Sequence, residues 1–333
     1  MWVTFGTEEG TLGPLLHAKF HPHRCNVSSL RGEKPQNRLL SKLNTGLQLC
    51  MLADGGLSRL WTGSREALRR VIRLDHHCKE LVHVIPPGDR GVMAMTSLGD
   101  DVFVVRGSSQ VEVYDVDTCT FQRYIAVPRL RNSYGLAACD HYKCLYVADF
   151  DWDAPSIHRV ELSDCLQQLD LVKRRDLWKK WSVNFGPRGL SVNKEHNLVA
   201  CFFGYIHEYT THGTPVRGIG LYPQASPWHA VQLSTGDYVI SDWSSTGALI
   251  VVGPDGQVLH NRRSTCDEGL QCPLSLAVTK NDEILVVNEF GHRILLIDSS
   301  LSFARQLDQP VHRTLKPQAL CLDESRRQLY LGE

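Results

Sequence analysis

The chain says nearly the same thing six times, and that repetition limits what it can fold into more than any other feature. Residues 272–298, CPLSLAVTKNDEILVVNEFGHRILLID, read as three short strands. A small apolar run comes first, Asn281-Asp282 supply a turn, Ile284 to Val287 are apolar on both faces, and a second turn leads to Ile294 to Ile297. Turn residues bounding short β-rich runs are a hairpin signal. The pattern recurs at 226–242, 133–149, 186–202 and 316–333, with a weaker copy at 91–106. Aligning the second strands at Val102, Leu145, Leu198, Tyr238, Ile284 and Leu329 gives steps of 43, 53, 40, 46 and 45 residues. A period of about 40–45 residues with about four strands per unit marks a β-propeller. Six copies predict an all-β, six-bladed propeller.

The repeats carry recognisable pieces. Pro187, Pro227, Pro273 and Pro317 precede the first strands, Ala148-Asp149 end a second strand, and His158-Arg159-Val160 and His292-Arg293-Ile294 open third strands. Over about residues 84–333 this resembles the NHL-repeat family, in particular the C-terminal propeller of tripartite-motif and other NHL-repeat proteins. Asn288 and Phe202 depart from the family's usual Asp. The resemblance implies a non-enzymatic recognition scaffold for protein partners, with a place as an adaptor in ubiquitin-ligase pathways. Family members that are ligases carry a RING and a B-box, which the Cys and His of this chain do not supply. Similar propellers also include calcium-dependent lactonases and a zinc-dependent lyase, whose ligands converge on the central channel. Here His229 stands alone at its repeat position, where the other copies have Gly135, Gly189, Ser275 and Ala319, and a zinc centre needs at least three protein ligands.

Of the 333 residues, Lys plus Arg and Asp plus Glu number 36 each. A zero formal charge argues against a general nucleic-acid or membrane-binding field. No apolar run approaches the roughly 18 residues of a membrane-spanning helix, and the first residues, MWVTFGTEEG, lack the basic and apolar regions of a signal peptide. The 11 cysteines are irregularly spaced. Cys139, Cys144, Cys201 and Cys321 fall within predicted strands, where a free thiol acts as a small apolar group. This favours a reducing, cytoplasmic setting over a disulfide framework.

Residues 1–80 read as an N-terminal extension, mostly irregular, ahead of a propeller domain at 81–333. The histidines and cysteines at His21, His23 and Cys25, and at His76, His77 and Cys78, lack the paired spacing of a zinc motif. Residues 64–75, SREALRRVIRLD, fit one helix, with Ser64 as N-cap and Ala67, Leu68, Val71 and Ile72 on one face. The sequence reaches only the second strand of its sixth copy, which leaves the last blade incomplete. Leu81 to Ile85 form a strand able to pair with it, because an open ring leaves sheet edges bare.

Two sets of residues invite function. Connections between second and third strands share a face with those between blades, and binding favours loops on a rigid scaffold. On that face the sequence places Arg106, Phe150, Trp152, Phe203, Trp243 and Phe290 just after second strands, with Trp228 and His229 entering from an interblade connection. Aromatic residues and Arg are the usual interface anchors. The 53-residue step locates an insertion near 163–181. It holds Lys173, Arg174, Arg175, Lys179 and Lys180 with Trp178 and Trp181, a mixture suited to single-stranded RNA. The alternative is a solvated insertion whose tryptophans pack on a blade edge. No glycine-rich phosphate loop, serine elbow or metal-ligand cluster is present, so no catalytic residue, metal or cofactor is predicted.

Overall fold

Residues Val102 to Val105 show how the repeat becomes structure. Their side chains alternate between two cores: Val102 and Val104 join one buried cluster, Phe103 and Val105 the next. Such a strand is buried on both faces, which explains its unbroken apolar run. The same alternation places Leu145 and Val147 in one cluster and Cys144 and Tyr146 in the following one. Each cluster is thus shared by two neighbouring sheets. A fully buried Val, Leu or Ile contributes about 1.5–3 kcal/mol, so stacking sheets side by side is what stabilises them.

The computed structural model describes residues 71–74, 80–84, 90–162, 178–222, 225–244, 247–263, 270, 272–302, 304–307 and 317–332, all in the unit Trp61–Glu333. They form strands and connections, with no helix among the described residues. The first two strands are β1 (Val71–Leu74) and β2 (Glu80–Val84). Blade one is β3 (Ala94–Leu98), β4 (Asp101–Val105), β5 (Gln110–Asp115) and β6 (Phe121–Ala126). Blade two is β7 (Ser133–Cys139), β8 (Cys144–Asp149), β9 (Ser156–Glu161) and β10 (Trp178–Ser182). Blade three is β11 (Leu190–Val192), β12 (Leu198–Phe202), β13 (Tyr205–Tyr209) and β14 (Pro215–Gly220). Blade four is β15 (Pro227–Gln232), β16 (Tyr238–Asp242), β17 (Ala248–Val252) and β18 (Val258–Arg263). Blade five is β19 (Pro273–Val278), β20 (Ile284–Asn288), β21 (Arg293–Ile297) and β22 (Ala304–Gln306). All pairings are antiparallel.

The protein is therefore an all-β propeller with five blades of contiguous chain and one further, composite sheet. In that sheet β23 (Ala319–Asp323) and β24 (Gln328–Gly332) are joined by β1 and β2, in the order β2-β1-β24-β23. Val71 pairs with Gly332 and Leu74 with Leu329. Here two expectations are corrected. Val71–Leu74 is a strand and not the last turn of a helix, and β2 pairs β1 and does not itself pair the C-terminal repeat. An unpaired β24 edge offers a full ladder of hydrogen bonds to a short β-branched segment, and tertiary pairing of that kind overrides a helical period over so few residues. The remainder of the expected helix, 64–70 and Asp75, and the extension before it lie outside the described residues.

The innermost strands β3, β7, β11, β15, β19 and β23 adjoin one another in a closed cycle. Contacts between the composite sheet and blade one accompany it. Tyr330 donates to the Val116 carbonyl at 3.2 Å, Arg326 Nη2 pairs with Asp100 at 2.6 Å, and Ala319, Cys321 and Tyr330 share a core with Val102 and Val104.

Candidate functional site

In an up-and-down antiparallel sheet, the link from second to third strand leaves at the same end as the link to the next blade. Both kinds of connection therefore gather on one face. Four of the most exposed aromatic side chains in the described residues lie there: Trp152 (69%), Phe185 (58%), Phe203 (53%) and Phe290 (48%). Other exposed apolar residues, such as Phe121, Tyr124, Val216, Val258 and Leu259, are on the outermost strands β6, β14 and β18.

Behind Trp152 an aromatic chain runs inward. Trp152 meets Phe150 edge-on at 5.2 Å, Phe150 meets Tyr134 at 5.0 Å, Tyr134 meets Trp228 at 5.8 Å, and Trp228 meets Trp243 at 5.6 Å. The Arg188 guanidinium lies 5.8 Å from the Trp228 ring centre and 5.5 Å from that of Trp243, within the range of cation–π attraction. Arg188 Nη1 also donates to Ser226 Oγ at 2.5 Å. Gly186 permits this packing, since a Cβ there would sit 2.6 Å from the Phe150 ring. Burial pushes the Tyr134 hydroxyl up to about 12, with the Arg188 charge opposing and Glu289 adding to the rise.

The predicted rim thus divides. Trp152, Phe203 and Phe290 are exposed, Phe150 and Trp228 are half-buried, and Trp243 is 9% exposed. Arg106 is not on a rim at all. It is buried, donates from Nε to Glu112 Oε2 at 2.8 Å and reaches the Arg90 carbonyl. Glu112 also accepts from Tyr114, so this arginine neutralises a buried carboxylate. His229 is a strut in the channel wall. Its Nδ1 accepts from the Leu276 amide at 3.0 Å, so Nε2 carries the proton donated to the Leu190 carbonyl, also at 3.0 Å. Burial holds its pKa below the usual histidine value, against those two backbone bonds. Tyr134, Phe185 and Arg188 were missed by sequence reasoning. The signal available was the residue after Pro187, which enters the same face from an interblade connection.

The basic aromatic stretch is corrected in part. Lys173, Arg174 and Arg175 lie outside the described residues. Trp178, Lys179, Lys180 and Trp181 are not insertion but β10, paired with β9. Trp178 and Trp181 are half-buried against the neighbouring cores, and Gly213 makes room for Trp181, whose ring lies 2.5 Å from the place of a Cβ. The two lysines are exposed, and Lys179 meets His212 at 3.0 Å. Rings packed in this way do not form a free stacking platform.

Asp149, His158 and Ser156 are buried together, yet they do not form a nucleophilic relay. Ser156 Oγ at 3.3 Å and Asp149 Oδ2 at 3.6 Å both approach the same imidazole nitrogen, Nε2, whereas a triad uses both nitrogens. Asp149 instead accepts from the amides of Asn132 and Arg131. Burial raises its pKa, but the His158 contact and those amides outweigh it and leave the carboxyl below its usual range. Asp242 does the same work in blade four, accepting from the Ser226 amide at 2.7 Å. In blades two and four the Asp ending the second strand therefore ties the preceding interblade connection to its blade. Among the described residues no three His, Cys, Asp or Glu side chains come together as a metal site, and no helix there is long and apolar enough to cross a membrane.

No protein-family model and no curated protein matches the chain. Solved structures do. A streptogramin B lyase structure aligns at TM-score 0.56 and 12% identity over 81% of this chain and 88% of that one. A chain of the nidogen/laminin complex aligns at 0.56 and 12% over 76% and 97%. A protein of unknown function from Bacteroides caccae aligns at 0.55 and 13% over 78% and 96%. At such identities the likeness establishes the fold, a β-propeller. The NHL resemblance rests on the repeat motifs alone.

Proposed function

We propose that the protein is a non-enzymatic recognition propeller that captures a protein segment across the face carrying Trp152, Phe185, Phe203 and Phe290. The observation that carries this is the concentration of exposed aromatic rings on that one face. Large exposed rings cost little to order and supply most of the energy at interfaces. Two further features support it: the Arg188 pair with Trp228 and Trp243 behind the rim, and neighbours solved as assemblies, nidogen/laminin and the mitotic checkpoint complex, the latter at TM-score 0.51. His229 has both ring nitrogens engaged by backbone, which supports a scaffold over a metal-dependent lyase. We read the composite sheet as the sixth blade, closed by β1 and β2, so that the propeller begins near residue 71, and the irregular cysteines as the mark of an intracellular protein.

The test is a screen of displayed peptides on the intact chain, followed by calorimetry on the selected sequences. Alanine at Trp152, Phe203 and Phe290 together is expected to remove binding, while Phe121→Ala on β6 leaves it intact. Peptides that bind the triple variant as tightly as the parent refute the proposal, and so does a preference for single-stranded RNA that survives the triple substitution.

A further inference from the structure

Cys139 ends β7 and Cys144 begins β8, and the two are direct partners across that hairpin. Directly opposed residues point to the same side of a sheet, with Cβ atoms about 5 Å apart. Both thiols do lie in one core, between blades two and three, at 1% and 0% exposure. Beside them is Arg159, a charged side chain 95% buried by its 5% exposure. One of its nitrogens, Nη1, pairs with Glu161 at 2.6 Å, while its buried Nε has no hydrogen-bond partner. The Cys144 sulfur is the other group with which that guanidinium interacts. A cation beside a thiol stabilises the thiolate, the form that reacts.

We propose that Cys139 and Cys144 form an oxidisable dithiol, a modification site for peroxide-class oxidants. Cys144, as thiolate, attacks one oxygen of hydrogen peroxide and breaks the O–O bond. This yields a sulfenic acid and hydroxide, which takes up the proton released by the thiol to give water. The Cys139 thiol then attacks that sulfur and expels a second water as the disulfide closes. Both sulfurs are oxidised and the peroxide is reduced, so the overall change is two thiols and one peroxide to one disulfide and two waters. The hairpin turn over the pair, Asp140 to Lys143, is exposed at each residue, and local opening there brings the thiols to solvent and to peroxide. Burial raises the Cys144 thiol, with Tyr146 and Arg159 pulling it partly back, so the reaction is slow at rest and proceeds in proportion to the thiolate present in the opened state. A bridge between directly opposed strand positions has to draw the Cβ atoms in from about 5 Å to about 4 Å, and disulfides strained in this way are the readily reduced ones.

Trypsin makes the test direct, because Lys143 separates the two cysteines. The native chain is treated with hydrogen peroxide, its remaining thiols are alkylated, and the digest is mapped. The expected product joins peptides 132–143 and 144–159 with the loss of two hydrogen atoms, and a thiol reductant releases both. In Cys139→Ser the sulfenic acid has no resolving partner, so Cys144 should appear as sulfinic acid, while Cys201 stays alkylatable after unfolding. Arg159→Gln should slow linkage by removing the cation that favours the thiolate, and Arg159→Lys should restore it in part. The proposal is overturned if both peptides remain alkylated while other cysteines oxidise, or if Cys144 in Cys139→Ser is as inert as Cys201.

Discussion

Trp152 and Trp243 follow second strands on the same face of the molecule, and their surroundings are opposite. Trp152 is 69% exposed at the tip of the connection 150–155, touching Phe150 by one edge. Trp243 is 9% exposed, with its amide bonded to the Ser226 carbonyl at 2.9 Å and its ring beside Trp228 and Arg188. The difference comes from the chain next door. The ring of Trp243 meets Trp228 of its own blade and Arg188 from the connection between blades two and three, whereas that connection meets Phe150 at Gly186 and leaves Trp152 exposed. A repeat position thus says where a ring starts, and the neighbouring connection decides whether it is part of the core.

The largest expected effect tests the buried member. Trp243→Ala should lower stability by about 3–5 kcal/mol, the usual cost of removing a buried large aromatic, as measured by urea denaturation. Some of that loss reflects Arg188, whose guanidinium would keep only one of its two rings. A loss below about 1 kcal/mol would place Trp243 with Trp152 as a surface residue and dissolve the contrast.

A smaller effect follows from His229, which holds Leu190 and Leu276 beside this buried corner. Its folded pKa is depressed, so at mildly acidic pH the unfolded chain binds a proton that the folded one refuses. Stability from this source is complete above the ordinary histidine value of 6.5 and declines as pH falls below it, by at most about 1.4 kcal/mol per pH unit for one proton. Melting temperatures at pH 7.5, 6.5 and 5.5 should show the decline, and His229→Gln should flatten it. A parent curve no steeper than that of the variant would show that His229 does not act this way.

How much of this could be read in advance depended on burial. All six aligned second-strand residues fall within β4, β8, β12, β16, β20 and β24, because strands packed on both sides must be apolar throughout. The outermost strands left almost no trace. In β6 and β14 a single residue is buried, Ile125 and Ile219 respectively, so no period marks them, and β10, in which none is, reads from sequence as an insertion. The strand β1 was hidden by its brevity: four residues fit a helical stripe and a strand equally well, and only the bare edge of β24 distinguishes them. At the candidate site, residue type alone did not separate a buried Arg106–Glu112 pair from an exposed rim, since the partner lies six residues on, in the next strand.

The smallest expected change in stability belongs to Trp152, and it sharpens the comparison most. A side chain with more than two thirds of its surface in water contributes little to the core, and substitutions at such sites usually stay within about 0.5 kcal/mol. Trp152→Ala should therefore unfold at nearly the same urea concentration as the parent. If the exposed face is a recognition surface, the same variant should bind a selected peptide at least tenfold more weakly, since a loss of about 1.4 kcal/mol is one decade in affinity and interface anchors often exceed 2 kcal/mol. Trp243→Ala should show the reverse when its folded fraction is assayed at low temperature: large destabilisation, with affinity changed only as far as Trp228 and Arg188 shift. Stability and affinity falling together in both variants would mean that the rim and the corner beneath it act as one unit, and that the division between an exposed binding ring and a buried structural one does not hold.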